Sequence, residues 1–213
     1  MSSREMILEK LHKAVLPGHS NQRIMPLVEA RTGDLDVFVA KATAAAALVT
    51  RTTGQDAPAV VKAILEEIAC KSIILSDEGI VKELDIQTIA GNLGIDCQYT
   101  SEIPKDEYRS RMFQAEAGLS GCDYALADSG SLVMQHDGEN QRLISLAPNY
   151  FIGIVKASQM LKDRFDLAAL LEKGEKTAAV SLVTGVSRTA DVALQVVLGM
   201  HGPRKVYIVL IED

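Results

Sequence analysis

The chain has 213 residues, a net charge of -6 and a pI near 5.3, with 47% hydrophobic and 23% charged residues, a balance that fits one folded domain and excludes disorder. There is no basic stripe and no aromatic-basic interleaving to neutralise a run of phosphates, so no nucleic-acid partner is expected. The apolar stretches fall well short of the roughly 20 residues a bilayer demands and the N-terminus lacks an apolar signal core, so the expectation is a cytoplasmic protein with no membrane span.

Ser2-Ser3-Arg4-Glu5 is a capping-box sequence, and Ile7, Leu8, Leu11 and Val15 follow at helical spacing until Pro17-Gly18 stops them. Residues 18–33 have no period and read as a connecting arm. Residues 1–33 are thus an N-terminal helix with its arm, and 34–213 form the α/β domain. From Asp34 onward strands and helices alternate, as parallel pairing requires, because each buried strand needs a crossover helix before the next.

The spacing predicts a helix over Asp34–Ala45, a strand over Ala47–Thr52 and a helix over Ala57–Lys71, where Val60, Val61, Ile64, Leu65 and Ile68 share a face. A strand over Ser72–Ser76, a helix over Asp85–Leu93 and a strand over Gly94–Tyr99 come next. Pro104 opens a helix with body Lys105–Ala117, which Gly118–Gly121 ends before an extended Asp123–Ala127. The turn composition Asp128-Ser129-Gly130-Ser131, followed by Leu132–Gln135, predicts a hairpin that interrupts the parallel order. A strand (Phe151–Val155), a helix (Ser158–Glu172), a strand (Ala178–Val183) and a closing strand (Lys205–Ile211) complete the pattern. The predicted class is α/β, a mostly parallel sheet flanked by helices.

Cys70, Cys97 and Cys122 are too widely spaced for a zinc or iron-sulfur ligand set, and His12, His19, His136 and His201 are scattered. Reduced, buried thiols and no metal site are expected. No Walker loop and no Gly-x-Gly-x-x-Gly occurs, so no nucleotide or dinucleotide cofactor is signalled.

Chemistry gathers in the C-terminal half. Val180–Asp191 runs from a strand into Thr184-Gly185-Val186-Ser187-Arg188-Thr189, read as a hydroxyl-rich turn opening a helix. Strand ends of open α/β sheets bind ligands, and exposed amides there attract anions. Ser187 and Thr189 offer hydroxyl donors, and Arg188 offers a planar fork suited to carboxylate or phosphate. The plainer alternative, a helix cap with a surface ion pair, stays open. Asp128-Ser129-Gly130-Ser131 is a second candidate, with Asp128 a possible base beside close-approaching Gly130, or else an ordinary turn. His201, in Gly199-Met200-His201-Gly202-Pro203, is a candidate titrating group. Arg142, Ser145 and Pro148 matter only if the fold carries them to the same cleft. A serine hydrolase is disfavoured: Thr189 stands where the elbow's second glycine belongs, and little chain follows Ser187 to deliver an acid and a base on separate strands.

Four ordered blocks resemble the signature of the LUD (lactate utilization domain) family, which includes lactate utilization protein C: Gly121–Val133; Arg142-Leu143 with Ser145 and Pro148; Thr184–Asp191; and Gly199–Pro203. The match is good over roughly 110–213, and the first hundred residues are similar mainly in their alternation. The resemblance implies a fold like that of ribose-phosphate isomerase, glucosamine-phosphate deaminase and the coenzyme A transferases. It also implies a role in oxidising L-lactate to pyruvate alongside iron-sulfur partner proteins. The family's turn reads Glu-Thr-Gly-Thr where this chain has Asp128-Ser129-Gly130-Ser131; the shorter acid changes reach by a methylene and bears on substrate identity.

The expectation is therefore an accessory subunit holding a small anionic metabolite, a lactate-like carboxylate or phosphate. Ser129, Gly130, Ser131, Arg142, Thr184, Gly185, Ser187, Arg188 and Thr189 are its binding candidates, and Asp128 and His201 its catalytic ones. The alternatives are an independent enzyme acting on a sugar phosphate or acyl-coenzyme A, and a ligand sensor without turnover.

Overall fold

The computed structural model describes Arg4, Met6 and residues 31–136, 141–174, 177–190, 196–198 and 202–212. Apart from Arg4 and Met6, the expected N-terminal helix and most of its arm lie outside the described residues. The first helix of the domain, α1 (Leu35–Ala44), starts where Asp34 accepts hydrogen bonds from the amides of Asp36 and Val37 at 2.8 and 3.0 Å. There follow β1 (Leu48–Thr52), α2 (Ala57–Glu67), β2 (Ser72–Leu75), α3 (Gly79–Glu83), α4 (Ile86–Asn92), β3 (Asp96–Tyr99), α5 (Tyr108–Gln114) and β4 (Ala117–Gly121). The hairpin β5 (Tyr124–Leu126) and β6 (Ser131–His136) precedes β7 (Tyr150–Lys156), β8 (Met160–Leu161), α6 (Arg164–Lys173) and β9 (Ala179–Val183). The chain ends in β10 (Arg188–Ala190), β11 (Val196–Leu198) and β12 (Lys205–Ile211).

Six strands form a wholly parallel sheet in the order β1-β12-β7-β4-β2-β3. The predicted α/β class with a mostly parallel sheet is what the structure shows. The central strands are apolar on both faces, as a sheet covered on both sides demands. On one face α2, α3 and α4 bury Val61, Ile64, Leu65, Val81, Ile86 and Ala90 against Ile73, Leu75, Leu119, Ile152, Ile154, Val209 and Ile211. On the other, α1 and the small sheet β8-β5-β6-β9 cover Phe151, Val155, Val206, Ile208 and Leu210. Beside them α5 packs Tyr108 and Met112 on Ile74, and α6 closes the outer face of the small sheet through Leu167 against Leu126, Val133 and Leu161.

Two expectations fail for physical reasons. Ala117, read as the end of a helix, and Gly118–Gly121, read as its terminator, form β4, buried throughout. Its glycines serve close approach: a Cβ on Gly118 would stand 2.2 Å from the Ile144 carbonyl oxygen, and one on Gly121 would stand 2.6 Å from Ile80 Cγ2. The residues after β9 do not open a helix either, because Arg188–Ala190 pairs antiparallel with Val196–Leu198. The predicted helix over Ser158–Glu172 starts later, at Arg164, where Asp163 caps it.

The arm is pinned where it meets the domain. Arg31 donates from its amide (3.0 Å) and its Nε (3.1 Å) to Asp166 Oδ1, and from Nη2 to Asp163 Oδ2 at 2.9 Å. Thr32 bridges Leu161. Burial alone would push the Asp166 carboxyl up, but the Arg31 hydrogen bonds outweigh it and hold the group below the usual carboxylate range. A depressed acid contributes stability above its ordinary pKa and loses it as pH falls through the folded value. Asp166→Ala is expected to cost about 2 kcal/mol in urea unfolding at neutral pH, given a half-exposed cationic partner, and the gap from wild type should close on acidification. A loss that stays constant down to acid unfolding would assign the effect to packing instead.

Candidate functional site

The Asp128–Ser131 turn and the turn after β9 meet. The Ser131 hydroxyl, almost fully buried, donates to Ser129 Oγ at 2.9 Å and lies 2.6 Å from Thr184 Oγ1. Since Ser131 spends its one proton on Ser129, Thr184 donates to Ser131, and the proton left to be offered outward is that of half-buried Ser129. Both turns need left-handed glycines. Gly130 (φ 68°) faces the Ala42 amide, with 2.2 Å to a notional Cβ, and Gly185 (φ 69°) faces the Ala45 carbonyl at 2.0 Å. The Val186 amide donates to that carbonyl at 3.3 Å. The backbone of Gly202 lies against Ser187, whose Cβ would be 3.1 Å from a Cβ at 202. Parts of three of the four sequence blocks therefore adjoin.

Their location differs from the expected one. The last residues of α1 lead within a short turn into β1, and Gly202 just precedes β12, so the hydroxyl turns sit at the amino-terminal edge of the parallel sheet. β9, which delivers Thr184, belongs to the small antiparallel arrangement with β6. Asp128 is exposed, with its amide donating to the Lys162 carbonyl at 3.0 Å. Arg142 is exposed on a 3-10 helix (Gln141–Ser145) packed on β4 and α5, and its carbonyl accepts from Ser145 Oγ at 3.2 Å. None of the described contacts joins Arg142 to the turns. The side chains of Arg188 and Thr189, and His201 altogether, lie outside the described residues.

The opposite, carboxyl-terminal edge carries polar groups that the sequence reading missed. Asp77, two residues past β2, accepts from Thr100 Oγ1 and Ser101 Oγ (both 2.6 Å) and from the Ser101 amide (2.8 Å), and pairs with Lys82 at 3.3 Å. Burial opposes its charge, but these donors keep its carboxyl below the usual range. Asp77 thereby ties the ends of β2 and β3 together. Its neighbour Glu78 has no such partners: Oε2 is buried without a hydrogen bond. Burial, reinforced by the charges of Asp123 and Asp77, pushes its carboxyl up to about 7, against weaker help from its own amide and from Lys82. Tyr108 at the start of α5 is buried with its hydroxyl likewise unpartnered, and burial together with the Glu78 charge raises it to about 12. The signal was present in the sequence: Ser76-Asp77-Glu78-Gly79 directly follows the apolar Ile73-Ile74-Leu75, the place where such sheets bind ligands.

The three cysteines are free thiols. Burial raises Cys70 to about 11 and Cys97 to about 12, and Cys122 rises as well, so all three stay protonated at neutral pH and are poor nucleophiles. Among the described residues no group of His, Cys, Asp and Glu has metal-binding geometry, and no helix is long and apolar enough to cross a membrane.

The LUD domain family model matches residues 35–211. Lactate utilization protein C of Oceanobacillus iheyensis is 28% identical over 180 residues, covering 76% of this chain and 72% of its own. Uncharacterized protein YkgG of Escherichia coli is 31% identical over 157 residues, covering 70% and 67%. A crystal structure of a DUF162 family protein from Deinococcus radiodurans superposes with a TM-score of 0.55 at 16% identity, covering 83% of this chain and 95% of that one; at that identity the likeness is one of fold.

Glu78 provides a pH test. An acid whose folded pKa is raised disfavours folding only when ionised, so its penalty grows as pH rises from the ordinary 4.5 to about 7 and is constant above. Glu78→Gln should be more stable than wild type at pH 8, by up to about 3 kcal/mol, and equal to it near pH 4. Urea unfolding of both proteins across that range is the measurement, and parallel profiles would show that Glu78 is not strained.

Proposed function

The chain belongs to the LUD domain family, and from that membership we propose that it is a lactate utilization protein C-like subunit supporting the oxidation of L-lactate to pyruvate. In this reading it holds a small anionic metabolite while partner proteins carrying iron-sulfur clusters perform the electron transfer. The observation that carries the binding part is the Ser131 hydroxyl, which bonds at once to Ser129 and Thr184 and joins two turns far apart in sequence. A carboxylate meeting this edge accepts the one spare hydroxyl proton. Arg188 and Thr189, whose backbone directly follows the Thr184–Ser187 turn in β10, supply a guanidinium and a further hydroxyl. Ser187 completes the donor set, with Gly130 and Gly185 keeping the turns close enough to α1 for the hydroxyls to meet. Arg142 is on a separate element and enters the proposal as a docking contact at most. Asp128 and His201 are the residues through which turnover, if the chain has any of its own, would run.

A relative named lactate utilization protein C and a match along nearly the whole domain support the choice of lactate over other anions. The independent-enzyme alternative predicts turnover of a sugar phosphate or acyl-coenzyme A by the isolated chain, abolished by Asp128→Asn.

Ligand that binds only the folded state raises its stability by roughly 2.7 kcal/mol at a hundredfold excess over Kd. L-lactate or pyruvate should therefore raise the Tm of the isolated chain, Arg188→Ala should abolish the rise, and Ser131→Ala should reduce it. Extracts lacking this chain should oxidise L-lactate poorly and recover on its addition. Full oxidation without it would sink the subunit role, and a Tm response unaffected by Arg188→Ala would sink the site.

A further inference from the structure

A cavity of about 240 Å³ opens beside the edge strand β3, between the first residues of β2 and β3 and the last turn of α5. The register Ser72↔Asp96 and Ile74↔Gln98 puts these four side chains on one face of the sheet. It is the face on which α5 packs, since Ile74 clusters with Tyr108, Met112 and Ala115. Cys97 and Tyr99, the alternate residues of β3, turn to the opposite face and pack against the core there. β3 and α5 thus stand as two walls, with buried Ile74 and Ala115 as an apolar floor between them.

The walls carry opposite charges that do not meet. Exposed Asp96 on β3 forms no ion pair and no side-chain hydrogen bond among the described residues. Arg111 on α5 spends its Nε on Glu107 at 3.3 Å, one turn back on the same helix, which leaves its Nη groups without an acceptor. The carboxamides of half-buried Gln98 and exposed Gln114 also lack side-chain partners among the described residues. The frame around these groups is fixed by backbone bonds. The Glu116 amide donates to Ser72 Oγ at 3.1 Å and the Lys71 amide to Glu116 Oε2 at 2.7 Å, which joins the exit from α5 to the start of β2. The Asp96 amide donates to the Lys71 carbonyl at 2.9 Å and fastens β3 to the same point. Both charged walls are held from Lys71 and Ser72, so the gap between them is set before any ligand arrives.

We propose that this cavity binds a small zwitterionic amino acid, with its carboxylate on the Arg111 guanidinium and its ammonium on the Asp96 carboxylate. A guanidinium offers a planar fork that fits a carboxylate. An ammonium has three donors, enough for Asp96 and the carbonyl oxygens of Gln98 and Gln114. A simple anion would leave Asp96 unanswered and a simple cation would leave Arg111 so, whereas a molecule with both charges answers both walls. The volume lies below the roughly 300–1,000 Å³ of pockets for drug-sized ligands, so the amino acid has a small apolar side chain, resting on Ile74 and Ala115. The site is at the far end of the strand order from the hydroxyl turns, which adjoin β1 and β12, and its chemistry is independent of them.

The test is an NMR titration of the full chain that follows the side-chain amides of Gln98 and Gln114 and the backbone amide of Asp96. L-alanine is the probe and L-lactate its comparator, since the two differ only in ammonium against hydroxyl; propionate and ethylamine each keep one of the two charges. L-alanine should shift all three signals, and the comparators should bind at least about tenfold more weakly, as the loss of a charge-assisted hydrogen bond implies. Asp96→Asn and Arg111→Gln, both at exposed positions, should keep the fold and each weaken L-alanine by a similar factor. No shift with L-alanine, equal affinity for any of the three comparators, or L-alanine binding untouched by both substitutions overturns the proposal. None of these outcomes bears on lactate binding at the hydroxyl turns, whose residues neither substitution alters.

Discussion

The parallel sheet is covered on both faces, and that constraint governs where this protein can do anything. Val209, Ile154, Leu119 and Ile73 point into one helical layer, while Ile208, Phe151 and Ile74 point into α1, the small sheet or α5. Strands so covered have no solvated face on which to mount polar groups, since a buried polar side chain without partners costs more than the strand gains. Chemistry is pushed to the two ends of the strands, and the two ends have been furnished differently. The amino edge holds neutral hydroxyls brought together by two glycine turns. The carboxyl edge holds carboxylates, some saturated and one not.

Two carboxylates within one molecule show how much partners matter compared with burial. Asp166 is wholly buried, yet its carboxyl sits below the usual range because Arg31 and the Asp163 amide donate to it. Glu78 keeps some exposure, yet burial pushes its carboxyl up to about 7, with no other residue donating to it and with Asp123 and Asp77 adding to the rise. Desolvation acts on both in the same direction, so the hydrogen-bond inventory decides the sign. Asp166 is a structural group that fastens the arm to the domain. Glu78 is held in a state that structure alone does not require, a pattern more typical of functional sites than of scaffolding.

Much of this was legible in the sequence. The apolar run Lys205–Ile211 is a strand to the residue, because a strand buried on both faces leaves an uninterrupted apolar signature. The helix from Ala57 shows its stripe, with Val61, Ile64 and Leu65 buried. The hairpin at Asp128–Ser131 was legible from turn chemistry. β4 was not legible, because Ala117-Gly118-Leu119-Ser120-Gly121 is composed of residues that end helices, and its glycines earn their place only through neighbours distant in sequence, Ile144 and Ile80. The strand identity of Arg188–Ala190 was hidden for a related reason, its pairing partner being Val196–Leu198 rather than anything local.

The candidate residues divide along the same line. Ser129, Ser131 and Thr184 stood out because hydroxyls beside glycine are a local signal, and their meeting could be guessed from the family blocks. Glu78 and Tyr108 are thirty residues apart with nothing unusual about either in isolation. What distinguishes them is the strand order, which sets β2 between β4 and β3 and buries Glu78 Oε2 and the Tyr108 hydroxyl without hydrogen-bond partners. That order follows from no single residue. It depends on α2 carrying the chain from β1 at one edge across β12, β7 and β4, a crossover that the buried face of α2 against Tyr207, Val209 and Ile211 makes favourable. The seating of β2 beside β4 is thus a product of packing on the far side of the sheet, whereas each hydroxyl turn is set by its own left-handed glycine and only the Ser131–Thr184 bond between them is long-range.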